Sequence, residues 1–240
     1  CFGHAHIDVA WLWPLAQTQR KAAGTFSSVL GLMDRYRQFR FLQGQGQLYE
    51  YVRQRYPDIY ARIRRAARRG QWIADGAMWV EADMNISGGE ALIRQFLLGK
   101  RFFRDQFGVD CQVCWLPDVF GYNANLPQIL RGCGVRYFST QKMYWNYHGG
   151  TVHPYETFTW EGIDGSTVLA HMHRNYNAET HPQAIAQRWR DCVHKEQTDR
   201  FLYPFGWGDG GGGPTREHLE FLRRQPDLEG LPRTCWSSPQ

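Results

Sequence analysis

CQVCWLPDVFGYNANLPQILRGCGVRYFST, residues 111–140, reads as a strand over 111–116, a polar loop, a short helix from Asn125 and a second strand over 135–140. Short apolar runs of this kind suit buried strands. A helix between two of them carries the chain back so that the second strand can lie parallel to the first. The same alternation continues in both directions. Upstream, Pro14 opens a helix with Phe26, Val29, Leu30 and Met33 on one face, and residues 39–43 form a strand. Residues 48–70 hold two helical stretches divided at Pro57, the second burying Ile59, Ile63 and Ala66 and ending at Gly70. A strand over 71–75 and a long amphipathic helix from Ser87 to Gly108 follow.

Downstream, residues 156–172 form a hairpin over EGIDG (161–165), 183–195 a helix, 201–205 a strand, and Pro214 opens a last helix. The expected fold is one α/β domain with a mostly parallel sheet flanked by helices, either open or closed into a distorted β/α barrel. There is no internal repeat, low-complexity tract or linker.

Composition narrows the function classes. The chain has 240 residues, 42% of them hydrophobic, enough for a buried core; an aromatic share of 15% points to rings beyond those a core needs. The formal charge of +5 sits largely in ARIRRAARRG (61–70), which reads as a solvated helix face because no aromatic residues interleave its arginines. That argues against a nucleic-acid partner. No apolar run reaches the roughly 18 residues needed to span a membrane. The chain starts at Cys1 and ends on SSPQ, so both ends read as cut. Six cysteines lack the spacing of a disulfide scaffold; CQVC has no second pair to complete a four-thiolate site, and reduced thiols in a cytoplasmic setting are expected.

Three polar motifs fall where strands give way to helices, the place where parallel α/β folds bind ligands. In GHAHIDVAWLWP (3–14), His4, His6 and Asp8 alternate, so an extended chain points them the same way. Imidazole plus carboxylate suits Zn²⁺, although an isolated pair of this kind also occurs as backbone-bonded histidine in a strand. In LPDVFGYN (116–123), Asp118 stands just past a strand as a candidate ligand, nucleophile or helix cap, with Phe120 and Tyr122 as walls. GWGDGGGGPT (206–215) lacks the lysine of a phosphate-binding loop. Its only ionisable group, Asp209, is a turn former or a general acid. In the segment 79–95, Glu90 and Arg94 are four apart on a helix and are expected to pair with each other, as structural support. Carboxylates from two junctions, aromatic walls and a metal-capable pair fit retaining glycoside hydrolysis.

Together GHAHIDVAWLWP, WVEADMNISGGEALIRQFLLGKRFF, WLPDVFGYNANLPQIL, TFTWEGIDGSTVLAHM and PFGWGDGGGGPT, in this order, resemble the α-mannosidases of glycoside hydrolase family 38, in the branch with cytosolic and bacterial enzymes. The resemblance implies the N-terminal α/β catalytic domain of a larger enzyme, with a seven-stranded, mostly parallel sheet, the helical and β-sandwich parts lying outside residues 1–240. It implies one zinc that grips two ring hydroxyls of mannose, held by His6, Asp8 and Asp118, with a further histidine beyond this chain as the remaining ligand. Within the chain, His171, His173 and His181 lack the expected context for that role. By the same resemblance Asp118 is the nucleophile, Trp11, Phe120 and Tyr176 contact the sugar, and Asp209 is the acid/base. The partner implied is a mannose-containing oligosaccharide or glycan, with an oligomer allowed for the full enzyme; as this chain alone the domain is expected to bind zinc weakly and to be inactive. Two other readings stay open: a zinc-dependent polysaccharide deacetylase, which would require a H-x-x-x-H pair that is missing here, and a non-catalytic carbohydrate-binding domain indifferent to Asp118.

Overall fold

The computed structural model describes residues 1–145, 151 and 153–237. Its strands are β1 (Phe2–His4), β2 (Phe41–Gln43), β3 (Trp72–Ala74), β4 (Val113–Leu116), β5 (Tyr137–Thr140), β6 (Thr157–Glu161), β7 (Thr167–Met172) and β8 (Pro204–Phe205). The helices are α1 (Leu15–Arg35), α2 (Gly46–Arg55), α3 (Pro57–Arg68), α4 (Gly89–Phe107), α5 (Leu126–Gly132), α6 (Pro182–Arg190) and α7 (Arg216–Arg224). One sheet runs β3-β2-β1-β8, parallel throughout; the other runs β4-β5-β7-β6, parallel except for the hairpin of β6 on β7. Among the described residues seven strands make parallel pairs and β6 is an eighth, antiparallel edge; the mostly parallel character is as expected, carried by two four-stranded sheets rather than one of seven strands.

The two sheets curl into an incomplete barrel rather than lying open. Trp115 of β4 donates its backbone N–H to Gly76 just past β3 (3.4 Å), and a parallel bridge joins Ala178, beyond β7, to Phe205 of β8. Inside, Phe2, Leu42 and Trp115 pack together. The Trp115 indole lies edge-on to Phe2 and His4 and stacks on His173 at 4.5 Å. The main core fills the layer between barrel and helices, where α1 contributes Ala22, Phe26, Val29, Leu30 and Met33 at helical spacing. Burying a side chain such as Phe26 contributes about 1.5–3 kcal/mol. Gly99 of α4 lets that helix lie against the 77–79 backbone, since a Cβ there would stand 2.3 Å from the Ala77 carbonyl oxygen.

Local signals explain the helix ends. Pro57 starts α3, and Gly108, with φ of +73°, closes α4. The arginines of α3 face solvent, while Tyr60, Ile63 and Ala66 face inward. Glu90 and Arg94 pair at 2.6 Å on the surface of α4. The helix expected over 183–195 stops at Arg190, because side chains take the carbonyls that would continue it: Arg174 donates to Asp191 O (3.0 Å) and Lys195 to Arg190 O (2.8 Å). Among the described residues no helix is long and apolar enough to cross a membrane.

The barrel floor carries a proton linkage. His4 is fully buried: its Nδ1 lies 3.1 Å from the Leu42 carbonyl, and its Nε2 accepts from the Trp115 indole N–H at 3.2 Å. An indole only donates, so Nε2 holds no proton and the ring is neutral. Burial lowers His4 to about 3 and drives His173 well below the ordinary value of 6.5. Below pH 6.5 the unfolded chain binds protons at these positions that the folded chain refuses. Their stabilisation is thus complete above that pH and declines as pH falls, by about 1.4 kcal/mol per pH unit for each. Urea unfolding between pH 7 and 5 should show an average slope that is smaller by about 1 kcal/mol per pH unit in His173→Phe than in wild type, because the interval straddles the unfolded pKa; equal slopes would mean that His173 is not neutral in the fold.

Candidate active site

Six strands deliver side chains to one end of the barrel. β1 ends at His4, which packs with Phe2 against Trp115 inside the barrel, and two and four residues on His6 and Asp8 bring their side chains together, Nε2 to Oδ1 at 3.0 Å. Asp118 stands two residues past β4, Lys142 two past β5, Tyr176 four past β7, Asp209 four past β8 and Glu81 seven past β3. The loop that carries Asp209 is built from glycine because it runs close to its neighbours. Its Gly210 N–H donates to His6 O (3.1 Å), and a Cβ on Gly208 would meet the Tyr176 ring at 2.7 Å. Asp209 itself sits in the left-handed region at φ of +57°, which aspartate tolerates better than most residues.

His6 is the hub, 4% exposed. Its Nε2 lies 3.0 Å from Asp8 Oδ1 and 3.2 Å from Asp118 Oδ2, and its Nδ1 lies 3.1 Å from Glu81 Oε2. The other oxygen of Asp118 is held by Lys142 Nζ (2.5 Å) and by the Tyr176 hydroxyl (3.0 Å). The same hydroxyl lies 2.9 Å from Asp209 Oδ1. The Lys142 ammonium is buried among rings, 3.3 Å from the centre of Trp145, 4.7 Å from Phe120 and 5.2 Å from Tyr176. Phe120 is 53% exposed and Trp11, three residues past Asp8 with its ring against Trp13, is 62% exposed. Both offer apolar faces to solvent at this end.

Charges follow from these contacts. Burial pulls the His6 pKa down, but the Glu81 charge and the bonds to Asp118 and Asp8 more than offset it and hold it well above 6.5. Burial pushes Glu81 up, against the pull of His6. Burial also works against the Asp118 carboxylate, yet His6 and Lys142 hold it at about 2. The Tyr176 hydroxyl is driven far above its usual value by burial and by the charges of Asp118 and Asp209, so it stays a donor.

The donor set fits a divalent cation of the zinc type. Among the described residues, His6, Asp8 and Asp209 offer ligand atoms within 4.8 Å of one another, and Asp118 approaches the same His6 nitrogen. One imidazole ringed by four carboxyl groups concentrates negative charge that a cation relieves. This grouping differs in one respect from the expected set of His6, Asp8 and Asp118: Asp209 joins the trio, while Lys142 draws Asp118 Oδ1 to the other side.

The other expectations sort clearly. His4 bonds within the barrel floor rather than at the mouth. Asp118 caps no helix, since α5 begins after Asn125. Cys111 and Cys114 are buried free thiols whose pKa values burial raises. His171 bonds Thr157, His173 bonds Ser139, and His181 caps α6, so these three stand apart from the cluster. Sequence reasoning gave Glu81 no role and passed over Gln45 and Lys142. Glu81 lies in the acidic stretch VEAD (80–83) of the segment 79–95, which is the signal that could mark it; Lys142 follows strand β5 with nothing beside it to mark it.

The whole chain, residues 1–240, matches the sequence model described as the N-terminal domain of glycosyl hydrolases family 38. It is 45% identical over 240 residues to alpha-mannosidase 2C1 of Homo sapiens, covering 99% of this chain and 23% of that protein. It is 40% identical over 225 residues to alpha-mannosidase of Saccharomyces cerevisiae, covering 92% of this chain and 21% of that protein. The crystal structure of an alpha-mannosidase from Enterococcus faecalis V583 superposes with a TM-score of 0.76 at 18% identity, covering 95% of this chain and 26% of that one; at this identity the likeness concerns the fold. The chain spans less than a quarter of the length of these curated relatives.

Proposed function

From a chain that belongs to family 38 of the glycosyl hydrolases, we propose the N-terminal catalytic domain of a zinc-dependent, retaining α-mannosidase that removes terminal α-linked mannose from glycans. The observation that carries this reading is the single Tyr176 hydroxyl shared by Asp118 (3.0 Å) and Asp209 (2.9 Å). A phenol has one proton to donate. That proton serves one carboxyl group at a time, so the hydroxyl brings an oxygen of Asp118 and an oxygen of Asp209 to the same atom. Asp118 is the one of the two that His6 and Lys142 hold ionised, as a nucleophile needs, and bridging by one oxygen suits the carboxyl separation of about 5–5.5 Å in retaining hydrolysis.

In this mechanism Asp118 attacks the anomeric carbon while Asp209 protonates the departing oxygen, which leaves a glycosyl ester on Asp118. Asp209, now a base, takes a proton from water as that water displaces the ester and restores the anomeric configuration. Lys142 and His6 keep Asp118 ionised, Tyr176 aligns the two carboxyl groups, and Trp11 and Phe120 supply apolar faces for the sugar. His6, Asp8 and Asp118 would hold zinc, with Asp209 beside them. When bound, the ion supplies a Lewis acid for the mannose hydroxyls and helps select their arrangement. The six free cysteines favour a reducing compartment as the place of work.

The test is hydrolysis of an aryl α-mannoside by the full polypeptide that carries this domain, followed by proton NMR at the anomeric position. The expected first product is α-mannose, with activity lost on chelation and regained with zinc. A β-configured first product would overturn the retaining reading, and absence of hydrolysis by the zinc-loaded polypeptide would overturn the activity.

A further inference from the structure

Glu81 sits behind His6, away from the cleft. We infer that Glu81 is the positioning residue that fixes His6 as a metal ligand, holding the imidazole by Nδ1 so that Nε2 alone faces the cleft. This rests on the metal-binding reading of the site. Nδ1 and Glu81 Oε2 are buried 3.1 Å apart as an ion-pair contact, and among the described residues neither atom has a hydrogen-bond partner. Nε2 faces carboxylate oxygens of Asp8 and Asp118 at 3.0 and 3.2 Å. Nε2 lies between two carboxylates and Nδ1 against a third, so a zinc ion taken on the Nε2 side would leave the remaining imidazole proton on Nδ1, where Glu81 holds it.

Glu81 is itself clamped. Its Oε1 accepts from Gln45 Nε2 (3.1 Å), which also donates to Ile7 O (3.1 Å), and Gln45 Oε1 accepts from the Glu81 backbone N–H (3.4 Å). Gln45 thus ties the carboxylate to the backbone beside His6. Gln45 adopts the left-handed conformation with φ of +59°, unfavourable for a residue that is neither glycine nor a short polar one. The fold tolerates that strain at the one position from which this side chain reaches Ile7 and Glu81.

The experiment is zinc affinity of the full polypeptide, by competition with a chromophoric chelator, for wild type, Glu81→Gln, Glu81→Asp and His6→Ala. Glu81→Gln should weaken binding about 10–100-fold, Glu81→Asp should recover part of the loss, and His6→Ala should remove the site. A Nδ1–H resonance of His6 in the zinc-loaded wild type, shifted or lost in Glu81→Gln, separates positioning from general destabilisation. Equal affinity in wild type and Glu81→Gln, with binding lost in His6→Ala, would overturn the role of Glu81 and leave the metal reading intact. Failure of the wild type to bind zinc would overturn both. If Glu81→Gln does not fold, Gln45→Leu, which frees Glu81 Oε1, should weaken zinc several-fold; unchanged affinity there would equally defeat the inference.

Discussion

Asp118→Ala is expected to lower kcat on an aryl α-mannoside by about 10⁴-fold or more, the scale on which removing a covalent nucleophile acts. The reason lies in how Asp118 is held. One oxygen faces His6 and the other Lys142 and Tyr176, so the carboxylate is ionised at every working pH and cannot turn away. No other carboxyl group has both cations beside it among the contacts of the cluster. With the side chain shortened, azide can enter the vacated space and attack the anomeric carbon from the face Asp118 used. The product would be a β-mannosyl azide, with the aryl oxide as leaving group. Unchanged activity without azide, or reduced activity with no azide product, would remove Asp118 from the role of nucleophile. Lys142 matters here because its ammonium, buried among three rings, is the charge that holds the outer oxygen.

Asp209→Ala should separate substrates by their leaving groups. On a glycan, where the departing sugar oxygen needs a proton, kcat/KM should fall about 10²–10⁴-fold, the range attributed to general acid catalysis. On an aryl mannoside with an acidic phenol the first step needs little protonation, so the loss in kcat/KM should be far smaller, while kcat falls through the second step, where Asp209 is the base. Zinc content measured on the same samples decides a second question. Asp209 lies within 4.8 Å of the donor atoms of His6 and Asp8, so it is placed to act either as an acid or as a ligand. Full zinc with a leaving-group-dependent loss supports the acid. Loss of zinc with equal losses on both substrates would assign Asp209 to the metal and leave the proton donor to be found elsewhere.

Much of this site was legible in the sequence, and the reason is local. His6 and Asp8 share a face because side chains alternate along an extended chain, whatever the rest of the molecule does. The strand–helix alternation implies parallel pairing, and parallel pairing puts the functional loops at the carboxyl ends of the strands. That predicted the neighbourhood of Asp118 and Asp209 before any distance was known. Helix limits set by Pro57 and Gly108 were equally plain. The end of α6 was not, because its carbonyls are taken by Arg174 and Lys195, whose reach no helical pattern records.

Pattern and motif alone thus determined the fold class, the family resemblance and four of the polar residues at the mouth: His6, Asp8, Asp118 and Asp209. Only the tertiary structure decided that Glu81, Lys142 and Gln45 belong with them, that Tyr176 bridges two carboxyl groups, and that Asp209 stands near the metal-capable pair. The residues of this cluster are separated by up to about two hundred positions along the chain, and their meeting depends on the strand orders β3-β2-β1-β8 and β4-β5-β7-β6 and on the closure of those sheets around Trp115. Periodicity shows which way a side chain points from its own strand. Which charge it finds there depends on neighbours chosen by packing across the barrel.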